Sequence, residues 1–137
     1  MSAGFNGKGA SAPTEPLDYL IVQQNSLVAS SGPTLQNLEG YLWLKSQEYG
    51  LDYEKLYTLI QKESGWNENA VGDSGKAYGI AQFWRGTFSS YAKKYGMDDL
   101  QYESPADQIL LMVKMIANGQ SYNWTAAKGI KTFVDKI

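Results

Sequence analysis

The chain contains neither cysteine nor histidine. Without cysteine it has no disulfides and no thiolate metal sites. Without histidine it lacks the commonest general base, the commonest metal ligand and every serine–histidine or cysteine–histidine triad. Acid–base chemistry must come from carboxylates, lysines or tyrosines. Large net charge is missing as well: the balance is −2 over 137 residues, which argues against nucleic acid held by bulk charge. The apolar patch from Leu17 to Val22 is far shorter than the roughly 20 residues a membrane helix needs. The opening segment has neither the charged start nor the long apolar stretch of a signal peptide. No internal repeat is visible.

The length fits one domain able to bury a core without metal or disulfide staples. Ten tyrosines and four tryptophans suit a groove for flat, hydroxyl-rich ligands, and suit an ordinary core equally well. Two compositional zones follow one another. Residues 1–33 read as a flexible or partly ordered arm: up to Pro16, Phe5 is the only large aromatic or branched apolar side chain, too little to order the segment by burial. The Leu17 to Val22 patch, followed by Gln23, Gln24 and Asn25, reads as a strip that packs on the domain or on a partner. Ser30-Ser31-Gly32-Pro33 marks the break, and residues 34–137 read as a compact, mostly helical domain.

Spacing supports the helices. Thr34 can cap a helix through Glu48, with Leu35, Leu38, Leu42 and Tyr49 along one face and Gly50 as its stop. Asp52 can cap a second, with Leu56, Leu59 and Ile60 inward, running to Ser64 and ended by Gly65. Asn67 to Lys76 reads as loop or short hairpin. A third helix is expected from Thr87 to Tyr95, stopped at Gly96. Ser104-Pro105-Ala106-Asp107 is a strong start signal, with a serine cap, a proline at the first position and an acid to close a capping box. The helix after it carries Ile109, Leu110, Met112, Val113 and Ile116 and reads as the central buried helix. A last helix is expected from Thr125 towards the C-terminus. The fold class is mainly α, an α+β arrangement with a small hairpin or irregular lobe after the second helix.

Glu63 lies one turn beyond Leu59 and Ile60 and so shares the buried face of its helix. A carboxyl group held among aromatics is kept protonated by desolvation, and near neutral pH it can act as a general acid. The bland reading is a partly exposed glutamate paired with Lys62 or Lys76. Downstream, Ala77-Tyr78-Gly79-Ile80-Ala81-Gln82-Phe83 is apolar and aromatic around one amide. Gln82 reads either as a ligand-binding group or as a satisfied core amide, and Tyr78, Phe83 and Trp84 read as core or as sugar platform.

Taken together, Glu63-Ser64-Gly65-Trp66-Asn67-Glu68-Asn69-Ala70 resembles the Glu-Ser motif of lysozyme-like lytic transglycosylases of the soluble-lytic-transglycosylase (SLT) family. Gly75 to Phe83 is similar to the family's second motif, a small–Gly–Leu–Met–Gln stretch. Ala92-Lys93-Lys94-Tyr95-Gly96 and Ser104-Pro105-Ala106-Asp107-Gln108-Ile109 follow as the family's next two helices do, and the resemblance spans about residues 35 to 130. The nearest match to the family's late Ala-Tyr-Asn motif is Ser121-Tyr122-Asn123-Trp124, read as a loop before the last helix. Either that motif has shifted or Trp124 fills the same wall.

The resemblance implies a lysozyme-like domain that cleaves the β-1,4 bond between N-acetylmuramic acid (MurNAc) and N-acetylglucosamine (GlcNAc) in peptidoglycan. Glu63 would act alone, first as acid and then as base, leaving 1,6-anhydro ends. Ser64 would orient Glu63, Gln82 would bind substrate or intermediate, and the backbone at Tyr78 and Gly79 would line the groove. Tyr122 and Asn123 would face the glutamate, and no metal or cofactor would be needed. The rival enzyme is a hydrolytic muramidase using Asp73 as second carboxylate, although Gly72-Asp73-Ser74-Gly75 is also an ordinary turn. A third reading is a catalytically idle wall-binding or scaffold domain attached through its arm to a virion or secretion assembly. The expected setting is the cell envelope or extracellular space, or a bacteriophage particle.

Overall fold

The structure, a computed structural model, describes residues 35–135. The expected arm, its apolar strip and the Thr34 cap lie outside the described residues, as do the side chains of residues 35–37. Among the described residues no helix is long and apolar enough to cross a membrane.

Helix α1, Leu35–Tyr49, carries Leu38, Leu42 and Ser46 at four-residue steps, all fully buried. Gly50, at φ +69°, ends it, a conformation that costs glycine nothing. Helix α2, Tyr53–Ser64, starts where Asp52 Oδ1 accepts hydrogen bonds from the backbone N–H groups of Glu54 (2.9 Å) and Lys55 (3.2 Å). Its buried residues Tyr53, Leu56, Tyr57, Leu59, Ile60, Glu63 and Ser64 follow three- and four-residue spacing. We expect Asp52→Ala to cost about 1 kcal/mol, since two orphan amides lose their acceptor; chemical denaturation measures it, and an unchanged midpoint would mean water caps as well.

Gly65 (φ +62°) and Trp66 (φ +65°) both take left-handed conformations and turn the chain sharply away from α2. Trp66 is nevertheless buried, its ring 4.9 Å from that of Tyr57, so the turn folds back against its own helix. The lobe that follows is a three-stranded antiparallel sheet in order β1 (Val71–Gly72), β2 (Ala77–Tyr78) and β3 (Phe83–Trp84). Val71 pairs with Tyr78 and Gly72 with Ala77, then Ala77 with Trp84 and Tyr78 with Phe83. The expected hairpin is therefore present, with one more strand than the sequence suggested.

Helix α3 spans Arg85–Lys94, starting two residues earlier than expected because β3 runs straight into it. Helix α4, Pro105–Ala117, has the expected serine cap, with Ser104 Oγ accepting from Asp107 N at 3.1 Å. The capping box is not closed as expected: the Asp107 carboxylate accepts from Gln101 N (2.8 Å), anchoring the preceding loop. Eight residues of α4 are buried; α1 and α3 both pack on it, and α1 also packs on α2.

The expected last helix does not form. Thr125–Gly129 makes a single 3₁₀ stretch, and the chain then runs extended. Asp52 N donates to Phe133 O (2.7 Å), Asp135 N donates to Gly50 O (3.0 Å), and Leu51 pairs with Val134. Gly129 interrupts the helix, β-branched Ile130, Thr132 and Val134 favour extended backbone, and the α1–α2 turn supplies the partners.

Candidate active site

Glu63 occupies the last turn of α2 and is 1 % exposed. That burial excludes the bland reading of a surface helix residue. Ser64 is fully buried. It donates to Ile80 O at 2.7 Å, with a longer contact of 3.4 Å to Ile60 O. Ser64 thereby ties the end of the helix to the loop between β2 and β3.

That loop, residues 79–82, is gripped from three sides. Ser64 holds Ile80 O; Trp124, fully buried, donates its indole N–H to Ala81 O at 2.8 Å; and Gln108, 1 % exposed, accepts from Ala81 N at 3.0 Å. The Gln108 Nε2 donates to Tyr78 O (3.1 Å) and Tyr102 O (2.8 Å). A single buried amide thus joins α4 to the sheet, to the loop and to the segment before α4. The sequence reading took Gln108 only as part of a helix start. Its signal was its place in the Ser-Pro-Ala-Asp-Gln-Ile motif, on a helix face that is otherwise apolar.

The two other residues expected to touch sugar in this loop have structural work. Gln82 is 2 % exposed and sits at φ +55°, with its amide nitrogen donating to Ala70 O (3.0 Å) and Gly79 O (2.9 Å). Both amide hydrogens are spent on the backbone, so any hydrogen bond from this group to substrate would be one accepted by its Oε1. Gly79, at φ +91°, has no room for a side chain: a Cβ would lie 2.4 Å from Gln108 Nε2. Its glycine is required by the packing of Gln108. Phe83 is core, edge-on to Phe88 and Trp124, whereas Tyr78 is half-buried and Trp84 is exposed.

Asp73 lies in the tight turn between β1 and β2, where Asp73 and Ser74 both have positive φ. Its Oδ2 accepts from the Trp84 indole at 3.0 Å, the contact expected of a turn-fixing aspartate.

Tyr122 and Asn123 form a 3₁₀ turn, Ser121–Asn123, and converge on α3. The Tyr91 and Tyr122 hydroxyls are 3.3 Å apart, and Asn123 Nδ2 donates to the Tyr91 hydroxyl at 3.4 Å. These hydrogen bonds, Tyr122's first, lower the Tyr91 phenol below its ordinary value, and the same pairing raises that of Tyr122, which is exposed. Because Trp124 grips the carbonyl next to the one that Ser64 grips, the chain neighbours of Asn123 and Glu63 meet at one short loop. Behind α2, burial pushes the Tyr57 phenol up to about 12, with the Glu39 carboxylate that it hydrogen-bonds adding to the effect. The Glu39 carboxyl is itself raised by its burial, against the lowering effect of that hydrogen bond.

No curated protein and no solved structure compared with the chain is a significant match. The family model described as the Transglycosylase SLT domain matches residues 41–127, a span that runs from α1 past the turn of Tyr122 and Asn123 into the 3₁₀ stretch Thr125–Gly129 and takes in Glu63 and the gripped loop. This is well over half of the chain, on a mainly helical fold with one small antiparallel sheet behind a buried helix-end glutamate; the chain belongs to the transglycosylase SLT domain family and carries a lysozyme-like domain of the kind that acts on peptidoglycan.

Proposed function

We propose that the protein is a lytic transglycosylase that cuts the MurNAc-β-1,4-GlcNAc bond with Glu63 as its one catalytic carboxyl. The observation that carries this reading is the burial of Glu63 at the end of α2, beside a serine that anchors the loop of the family's second motif. Removing a carboxyl from water disfavours its charged form and so favours the protonated form that a general acid needs at neutral pH.

The steps follow from that starting point. Glu63 donates its proton to the glycosidic oxygen, and the bond to C1 breaks as an oxocarbenium-like state develops. The carbonyl oxygen of the substrate's own N-acetyl group stabilises C1. The Glu63 carboxylate then takes the proton from the C6 hydroxyl, and O6 closes on C1. No water is consumed, Glu63 ends protonated as it began, and the product carries a 1,6-anhydro ring. Tyr78 lines the groove on the sheet side, and Tyr122 and Asn123 line it on the side of α3. Ser64, Gln82 and Gly79 act by shaping the loop between them. The protein works in the cell envelope or outside the cell, on glycan strands.

Product analysis on purified peptidoglycan tests the reaction type. Mass spectrometry is expected to find muropeptides lighter by one water than hydrolysis products, from the parent and from an Asp73→Asn variant alike. Reducing-end products that vanish in Asp73→Asn would replace this reading with the two-carboxylate muramidase.

A further inference from the structure

Two stretches of the chain, Ser74 to Met97 and Gln108 to Val134, contain no aspartate or glutamate, although both carry several basic residues. Helices α3 and α4 bring these stretches together, and where they meet lies a row of alternating tyrosines and lysines. Lys94, the last residue of α3, stands over the rings of Tyr91 and Tyr95 at 5.7 and 5.8 Å. Lys114, in the last turn of α4, stands over Tyr95 at 5.5 Å and over Tyr49, the last residue of α1, at 5.6 Å. We propose that this row is a second, non-catalytic contact for glycan, selective for strands whose muramyl residues have lost their peptide and carry a free lactyl carboxylate; it rests on the peptidoglycan reading above.

The row is built rather than loose. The Tyr91 and Tyr95 rings are stacked, 6.3 Å apart at 24°. The turn after α4 holds both: the Tyr95 hydroxyl donates to Gln120 Oε1, and Asn123 Nδ2 donates to the Tyr91 hydroxyl. The three tyrosines are half-buried and Lys94 is exposed. A ligand laid on this surface orders few side chains, which keeps its entropic cost low.

Neither cation is spent on a carboxylate. Among the described residues the ion pairs are Lys45–Glu48 and Arg85–Glu103. Glu48, the chain neighbour of Tyr49, is therefore occupied, and Asp98 and Asp99 follow α3 without pairing to Lys94. The bland reading is that both lysines offset the partial negative charge of helix C-termini. That role needs a cation at each helix end, but it does not need tyrosines shared between the cations.

The spacing selects the ligand. A tyrosine offers an apolar ring while its hydroxyl stays in hydrogen bonds, and a sugar's C–H face can lie on that ring. The lactyl carboxylate hangs from the sugar ring by a single ether link. With the sugar on a tyrosine of the row, that carboxylate comes within reach of an ammonium held within 5.8 Å of the ring's centre. Once a peptide is attached the same group is an uncharged amide, and the remaining charges lie farther out. Chitin has the rings without the carboxylate.

The test measures binding, on proteins that all carry Glu63→Gln so that no strand is cut. Calorimetric titrations compare soluble glycan strands freed of peptide, the same strands with peptide, and chitooligosaccharides of equal length. All three can enter the catalytic groove, so the row is read from its own substitutions, Lys94→Gln with Lys114→Gln against Lys94→Arg with Lys114→Arg. The unsubstituted row is expected to bind peptide-free strands most tightly, in a preference that shrinks with salt. The glutamine pair is expected to weaken that binding about fivefold, the scale of two exposed charge pairs, and to leave chitooligosaccharide binding unchanged. The arginine pair is expected to keep the preference. Equal binding of all three ligands, a preference that survives the glutamine pair, or peptide-bearing strands held as tightly as peptide-free ones overturns the proposal. A glutamine pair that melts earlier but binds as before assigns the lysines to the helix ends alone, and overturns it too. Failure here leaves the product analysis standing, and a protein whose products prove hydrolytic can still show the preference.

Discussion

A Glu63→Gln protein is expected to clear purified peptidoglycan about 10²- to 10⁴-fold more slowly than the parent, the contribution general acid–base catalysis makes elsewhere. The amide has the shape of the acid but can neither give nor take the proton at the glycosidic oxygen. At 1 % exposure, little water reaches the position to act as a substitute. Turbidity loss of a wall suspension measures the rate, with thermal unfolding run beside it to show that the fold is kept. A variant that clears walls as fast as the parent would remove Glu63 from the chemistry, and with it both enzyme readings built on it; a parent that clears no wall at all would instead leave a wall-binding or scaffold module.

The largest expected effect on stability lies in Gln108, buried on α4. Gln108→Leu removes the acceptor of the buried Ala81 N–H and the donor to the Tyr78 and Tyr102 carbonyls. A stranded buried amide costs about 1–3 kcal/mol, and the two carbonyls, which keep a second lone pair, add less. The expected loss is about 3 kcal/mol, which for a domain of this size is roughly 10–20 °C in melting temperature. Calorimetry or circular dichroism decides it. A shift of only about 2 °C would mean that leucine packing or water compensates, and that the loop does not depend on Gln108. Activity should fall with stability, because the same amide holds the loop that Ser64 joins to the helix of Glu63.

The architecture was legible in the sequence wherever a local signal coincided with burial. Asp52 and Ser104 cap their helices as read, Gly50, Gly65 and Gly96 take left-handed conformations where helices end, and Leu38, Leu42, Leu56, Leu59 and Ile60 are fully buried. Glu63 was legible for the same reason, since a periodic apolar face carries whatever sits on it inward. The tail was not. Thr125-Ala126-Ala127-Lys128 looks helical on its own, but the chain after it pairs through Phe133, Val134 and Asp135 with Gly50, Leu51 and Asp52, residues far away in sequence.

By themselves, the residues of this chain determined which chemistry is possible, where the helices start and stop, and which carboxylate is buried, because capping, periodicity and side-chain inventory act within a few positions. Only the tertiary structure decided what the polar groups around that carboxylate do. Along the chain Ser64 and Gln82 look like ligand-binding residues and Gln108 like part of a helix start, yet in the fold their hydrogen bonds go to Ile80, Ala70, Gly79, Ala81, Tyr78 and Tyr102. A buried polar group must be paired with whatever backbone packs against it, and that partner is set by elements that meet only when the chain has folded.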